Sequence, residues 1–253
     1  MIDKNSSELL ELFKQIASKK WIPGVCNGWG SIGLTFEKEI NKLPDSKYEP
    51  DFQDIEIKCT SRYSLYPLFL FTVAFDGPGE NEMMRLVNIY GHYDGSYSDK
   101  KVLYRKICSK INPAYKYNFL FEIDRADKLI YLCIYDGDGI LIERESYISF
   151  DTLKKHVDTK LKKLALVRAS IKNIDNKKHY RYYAISFYKS LGFERFLELI
   201  ENNILQINII SRIGKSGEFT GKYKNRNVEF SIKKEDIPKL FECYMRFNHD
   251  ANY

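Results

Sequence analysis

Apolar and polar residues alternate strictly through Ile55-Glu56-Ile57-Lys58, the period of a half-buried β-strand. The isoleucines go to the core. Glu56 and Lys58 share the opposite face, about 6–7 Å apart along the strand. Upstream the period is helical: Leu9, Leu10, Phe13 and Ile16 predict a helix over 7–18, capped by Ser6 or Ser7. A glycine-rich loop over 24–33 leads into a second helix over 32–40. It carries Leu34, Phe36 and Ile40, with Glu37 close to its start, where the helix dipole favours a carboxylate. A polar link over 41–50 holds two prolines, and Asp51 stands where the chain bends into the strand.

Downstream, the run 68–75 is long and apolar enough for a buried strand, ended by Asp76-Gly77-Pro78-Gly79. Residues 80–115 mix tyrosines, glycines and charges and give no clear period. Strands follow over 117–123, 129–135 and 140–147, the last two joined by the hairpin signal Asp136-Gly137-Asp138-Gly139. That tetrapeptide lacks the further oxygen ligands and closing glutamate of a calcium loop. From Asp151, Leu153, Val157 and Leu161 predict a helix that runs directly into a strand over 164–169. A helix entering a strand in this way returns it to the same sheet as a crossover. The charged stretch 171–179 is then the best boundary. Beyond it the pattern predicts a helix over 187–202, a strand over 204–210, a glycine- and lysine-rich connection over 211–227, a strand over 228–232 and a helix over 236–247. The fold class is α/β of the α+β type, a mixed central sheet flanked by helices. It divides into a lobe over 1–172 and a smaller one over 173–253.

Composition adds two things. The 253 residues include 19 Tyr and 16 Phe, and rings that stack beside cations suit nucleic acid. Net charge is only +6, yet its distribution is uneven: residues 152–182 carry ten basic and two acidic groups. Such a stretch is either a DNA-binding footprint or a solvated helix face and loop. Five scattered cysteines without a Cys-x-x-Cys imply reduced thiols in a cytoplasmic protein, not a zinc site or disulfide framework. No signal peptide and no run approaching the ~20 apolar residues of a membrane span is expected.

Candidate chemistry centres on the alternating strand. Asp51 and Glu56 are two carboxylates suited to a hard divalent cation, which can polarise a phosphate and activate water. Lys58 can orient that water or neutralise charge on the phosphate. Asp54 competes with Asp51 for the first ligand position, or serves as a support or a solvated residue. The plainer reading of the whole stretch is a strand with one solvated face. The connection over 211–227 offers Arg212, Lys215, Lys222, Lys224, Asn225 and Arg226, and arginine and asparagine suit bidentate contacts to guanine and adenine. It is otherwise a flexible solvated loop. Two phosphate-loop lookalikes, Gly214-Lys215-Ser216 and Gly221-Lys222, lack the required first glycine. The four histidines, His92, His156, His179 and His249, are too dispersed for a metal cluster or a triad.

Gly33-Leu34-Thr35-Phe36-Glu37 followed by Pro50-Asp51-Phe52-Gln53-Asp54-Ile55-Glu56-Ile57-Lys58 resembles the MvaI/BcnI family of type II restriction endonucleases, relatives of the repair nicking enzyme MutH. The likeness continues in residues 147–150 and Lys160-Leu161-Lys162-Lys163-Leu164-Ala165-Leu166-Val167. It recurs in Lys177-Lys178-His179-Tyr180-Arg181-Tyr182 and in 209–214. The resemblance implies a PD-(D/E)XK nuclease core with a C-terminal recognition lobe, cutting double-stranded DNA as a monomer with Mg²⁺ and leaving 5′-phosphate ends. It implies metal binding by Asp51 and Glu56, assistance by Lys58, an active-site role for Glu37 and base reading by Arg212. It further implies a short GC-rich site of the CC-centre-GG kind and a cognate DNA methyltransferase as functional, not physical, partner. Where the family would place a histidine-containing loop stands Tyr223-Lys224-Asn225-Arg226-Asn227, so the target itself is open. The competing readings are a MutH-like nickase, a DNA-binding module without activity and a tyrosine-rich structural protein.

Overall fold

A computed structural model describes residues 3–28, 30–42 and 49–249. The chain runs α1 (Lys4–Ser18), β1 (Ile22–Pro23), α2 (Ser31–Glu39), β2 (Glu56–Ser61), β3 (Leu68–Val73), α3 (Glu82–Tyr90), β4 (His92–Tyr93), β5 (Lys101–Lys106), β6 (Asn118–Asp124) and β7 (Leu129–Tyr135). It continues β8 (Leu141–Glu143), β9 (Tyr147–Ser149), α4 (Phe150–Lys160), β10 (Lys163–Ile174), β11 (Lys177–Ser190), α5 (Phe193–Glu201), β12 (Leu205–Ile213), β13 (Tyr223–Ile232), α6 (Ile237–Leu240) and β14 (Phe241–Asn248). This is the mixed α+β class expected. Two compact units form, one from Met1–Tyr66, Val157–Phe196 and Glu235–Tyr253, the other from Pro67–His156 and Leu197–Lys234. The expected division at residue 172 falls instead inside the β10–β11 hairpin.

The first unit is built on a mixed sheet in the order β1-β11-β10-β2, with β14 also paired to β11. β10 runs parallel to β2, Leu164 opposite Glu56 and Leu166 opposite Lys58, and antiparallel to β11. The helix-to-strand crossover is therefore as read. β10 is apolar on both faces, as a strand covered on both sides must be: Leu164, Ala165, Leu166 and Val167 are all buried. One face packs on α1 and α2 through Leu9, Phe13, Phe36, Ile55, Ile57 and Tyr182. α1 begins earlier than the serines suggested, because Asp3 caps it by accepting from the Ser6 backbone N–H.

Three stretches differ from the expected pattern in this unit. The charged segment 171–179 is a continuous hairpin, turned by Asp175 and Asn176 at φ +47° and +59°. Two consecutive left-handed residues match the right-handed twist of the flanking strands. Replacing Asn176 by valine is expected to lower unfolding free energy by roughly 1–2 kcal/mol, because a branched Cβ opposes that conformation. Equilibrium urea unfolding measures it, and an unchanged midpoint would show that the turn sets no constraint. Residues 187–190 extend β11, so α5 begins only at Phe193. Most of the last expected helix is strand β14, in which Phe241, Cys243, Met245 and Phe247 face inward on a period of two.

The second unit holds two antiparallel sheets, β3-β13-β12-β5-β4 and β6-β7-β8 with β9 beside β7. The strand expected over 140–147 is split into β8 and β9, both pairing with β7. The Asp136 turn is a hairpin: its carboxylate accepts from the Asp138 and Ile140 backbone N–H groups, and Gly139 sits at φ +85°. The unassigned segment 80–115 supplies α3, β4 and β5. Its α3 carries Glu82, buried against Arg85 and Ser146, while Arg85 also reaches Glu143 and the Tyr90 hydroxyl donates to Glu143 at 2.7 Å. The two carboxylates beside it push the Arg85 guanidinium further up, Glu143 foremost. A buried charge needs such partners. The connection expected over 211–227 is strand at both ends, since β12 runs to Ile213 and β13 begins at Tyr223, and only 214–222 is loop.

Candidate active site

The site starts from a turn. Gln53 sits at φ +53°, and Phe52 and Ile55 exchange both backbone hydrogen bonds, at 2.9 and 2.8 Å. The chain thus folds tightly before β2 begins, and the strand alternation does not reach back to residue 54. The turn carries Asp51 alongside β2, where its Oδ2 accepts from the Ile57 backbone N–H at 2.9 Å and its Oδ1 from Lys42 Nζ at 2.6 Å. The rival Asp54 is aimed elsewhere. It accepts from Asn5 of α1 at 2.8 Å and pairs with Lys163 of β10 at 2.8 Å. Burial pulls its carboxyl upward, but those two partners hold it below the usual carboxylate range. Asp54 therefore belongs to a cluster with Asp3 and Lys163.

On β2, Glu56 is buried and Lys58 is half-buried on the same face, with Lys58 Nζ donating to Glu56 Oε1 at 2.7 Å. Glu56 Oε2 is buried and accepts no hydrogen bond; Lys160 Nζ, from the end of α4, stands 3.6 Å away and donates to the Glu49 carbonyl at 3.2 Å. A buried carboxylate oxygen without a donor is costly, and lysines at this distance offset only part of that. Lys42 and Lys160 were not singled out from sequence. The density of lysines around each was the only signal, and it does not say which one turns inward.

The third carboxylate comes from α2. Its register is fixed by Phe36, packed at 5.2 Å ring separation on Tyr182, and by the Tyr182 hydroxyl donating to the Ile32 carbonyl at 2.7 Å. Glu37 is the seventh residue of the nine-residue α2, not near its start, so the helix dipole does not favour its charge. Burial pushes its carboxyl above the ordinary value, and the negative charges of Asp51 and Glu56 push the same way against Lys42 and Lys58. Glu37, Asp51, Glu56 and Lys58 are thereby one electrostatic group. Cys59 behind them stays a thiol, raised well above its usual value by burial and then by Glu37 and Asp51.

Glu37 gives a pH prediction. Its folded pKa lies above the unfolded one, so the stabilising effect of the neutral carboxyl is present at acid pH and lost as pH rises through the folded value. Glu37→Gln is expected to raise Tm at neutral pH, with the gain vanishing below the ordinary carboxylate range. Thermal scans across pH read this directly, and a gain that persists in acid would contradict the electrostatic cause.

Do these residues fit a divalent cation? Among the described residues no three His, Cys, Asp or Glu side chains are drawn into a set that holds a metal unaided. The donors nevertheless fit Mg²⁺, which binds through one or two carboxylates and completes its shell with water and substrate phosphate. Asp51 and Glu56 supply hard oxygens, and Glu56 Oε2 is the buried oxygen without a donor.

The sequence-predicted basic residues lie in the second unit. Arg212 on β12 is exposed and directly opposite Lys224 on β13, a like-charge cross-strand pair that costs stability unless an anion covers it. Lys215 and Lys222 are exposed in the loop between these strands. That loop closes tightly: Gly214 donates to the Lys222 carbonyl at 3.0 Å, and a Cβ at Gly214 would meet the Phe219 carbonyl oxygen at 2.1 Å. Asn225 pairs with Ser211 in the backbone register, and Arg226 falls at the bulge beside it.

Residues 10–241 match the model of the MvaI/BcnI restriction endonuclease family. A solved structure described as a restriction endonuclease MvaI–cognate DNA substrate complex is similar at TM-score 0.88 and 28% identity, over 96% of this chain and 99% of that one. A structure of MvaI in the absence of DNA is similar at TM-score 0.58 and 26% identity, over 96% and 98%. No curated protein sequence matches. These matches define the class, a type II site-specific deoxyribonuclease acting on phosphodiester bonds. The chain belongs to the MvaI/BcnI restriction endonuclease family.

Proposed function

We propose that this enzyme hydrolyses both strands of double-stranded DNA at a short GC-rich site of the CC-centre-GG kind, as a monomer, with Mg²⁺ as cofactor. The observation that carries the chemistry is the electrostatic grouping of Glu37 and Asp51 with Glu56 and Lys58 of β2, the edge strand of a mixed sheet. Asp51 and Glu56 would hold Mg²⁺, which when bound supplies positive charge against the anionic phosphate in the transition state. Lys58, held by Glu56, adds a second positive charge at the scissile phosphate. Glu37, its carboxyl pushed above the ordinary carboxylate range by burial and by Asp51, is the group suited to exchange a proton. Water attacks phosphorus and the 3′-oxygen leaves, giving a 5′-phosphate and a 3′-hydroxyl. The buried Leu164 and Leu166 beside Glu56 and Lys58 lower the local polarity, which strengthens these charges.

Specificity is assigned to the second unit. Arg212, Lys215, Lys222, Lys224, Asn225 and Arg226 meet the major groove and its phosphates, Arg212 reading a base edge. The similarity to a structure described as a cognate DNA complex supports this reading. The enzyme works in the cytoplasm beside a cognate DNA methyltransferase, a functional and not a physical partner. Among the described residues, no helix is long and apolar enough to cross a membrane. Digestion of phage DNA with Mg²⁺, followed by run-off sequencing of the ends, tests the proposal. Both strands cut at one recurrent site support it. A single nicked strand favours a MutH-like nickase, and intact DNA that is nevertheless bound favours a module without activity.

A further inference from the structure

Among the described residues of its unit, the loop that leaves β2 is the most exposed apolar feature. Leu65 is 97% exposed, Tyr63 84% and Tyr66 64%. The loop is nonetheless built. Arg62 donates its backbone N–H to the Ala169 carbonyl of β10 at 3.1 Å, Ser64 to the Ser61 carbonyl at 3.3 Å, and Tyr66 to the Ser64 hydroxyl at 3.3 Å. The Arg62 guanidinium lies over the Tyr63 ring at 5.7 Å. An ordered turn that holds a leucine and two tyrosines in water is a binding feature, since lone exposure is common but a contiguous apolar patch is not.

Its charge points to the occupant. From Cys59 to Phe75 the only charged residue is Arg62, and no carboxylate occurs before Asp76. A positive, aromatic, acid-free tip suits a polyanion with stackable faces. Its position points the same way. β2 ends at Ser61, and the Arg62 backbone N–H, bonded to Ala169 of β10, carries the ladder one residue further. At the rise of a strand, those four residues set Arg62 about 13 Å beyond Lys58, the rise of about four base pairs.

We propose that loop 62–66 is a second DNA-contacting element, Arg62 taking a phosphate while Tyr63, Leu65 and Tyr66 pack against sugars of the backbone beside the scissile phosphate. The proposal rests on the reading of this chain as a DNA-cleaving enzyme, and it adds an element that its basic hairpin does not supply. The contact is independent of base identity, so it holds register and not sequence.

Two measurements on the full-length chain test it, both with a duplex that the wild-type protein has been shown to cut. In the first, the combined Tyr63→Ala, Leu65→Ala and Tyr66→Ala variant is titrated with labelled duplex in Ca²⁺, with Tm measured on the free protein. A dissociation constant raised about tenfold at unchanged Tm is expected, because these side chains are largely exposed in the free protein. An unchanged dissociation constant overturns the proposal. In the second, a benzophenone amino acid at position 65, in a Lys58→Ala background that leaves the DNA intact, is irradiated on the duplex. Crosslinks within about five base pairs of the cut position are expected. No crosslink from position 65, while the same probe at position 224 does crosslink, also overturns it. A protein that cuts no duplex and crosslinks from neither position fails as a DNA enzyme, and the proposal fails with that reading.

Discussion

Glu56→Ala is expected to lower the rate of DNA cleavage by a factor on the order of 10³ or more, while affinity for the same DNA changes by only a few-fold. Metal-assisted charge stabilisation contributes several kcal/mol to a transition state, and each 1.4 kcal/mol is about tenfold in rate. Glu56 is a central point of the site: Oε1 holds Lys58, and the buried Oε2 lacks a hydrogen bond. On the proposed mechanism, its loss removes a ligand to Mg²⁺ together with the partner that fixes Lys58. Binding is spared for the opposite reason. Most DNA affinity comes from cations meeting phosphates, and removing a negative charge does not weaken that term. Asp51→Ala is expected to act similarly, with its Ile57 and Lys42 bonds lost together. Single-turnover cleavage beside a gel-shift titration separates the two effects. Near-normal cutting by either variant would mean the metal site is misplaced.

Arg212→Ala is expected to lose roughly 1–3 kcal/mol of affinity for the cognate site, with much smaller loss on random DNA. The residue is exposed on β12, rigidly registered against β13, and faces a second cation across the pair. Repulsion between Arg212 and Lys224 is a cost in the free protein that a DNA phosphate beside them would relieve. A base contact and a phosphate contact differ in their signature. Loss of a phosphate contact weakens specific and random binding alike and flattens the salt dependence, whereas loss of a base contact shrinks the ratio between them. Competition titrations at several salt concentrations read both, and equal losses would reduce Arg212 to a phosphate contact.

Much of the site was legible because it is local. Asp51, Glu56 and Lys58 lie within eight residues, and the period of two on Ile55 and Ile57 settled which face Glu56 and Lys58 share. Glu37 was offered as a candidate by resemblance, while its assumed place near a helix start was mistaken: α2 opens at Ser31. What tertiary structure decides stayed hidden. Lys160 reaches Glu56 only because the crossover sets β10 beside β2, and Asp54 leaves the site only because Gln53 takes a left-handed turn. The fold errors have physical causes too. Charged residues 171–179 read as a loop, yet a two-residue turn needs only two left-handed positions and lets polar residues occupy both strands. Residues 187–190 fit a helix or a buried strand equally by spacing, and pairing with β10 and β14 decided the matter. β14 was readable, since Phe241, Cys243, Met245 and Phe247 alternate with polar residues, but Phe241 and Met245 also stand four apart as a helix face would require.

Calorimetric titration of Mg²⁺ into the complex of the Lys58→Ala protein with its cut-site duplex tests the central claim, that Asp51 and Glu56 hold the metal. One saturable uptake is expected, abolished when Asp51→Asn or Glu56→Gln is added while the DNA remains bound. Undiminished uptake in both double variants would place the cation elsewhere and contradict the account.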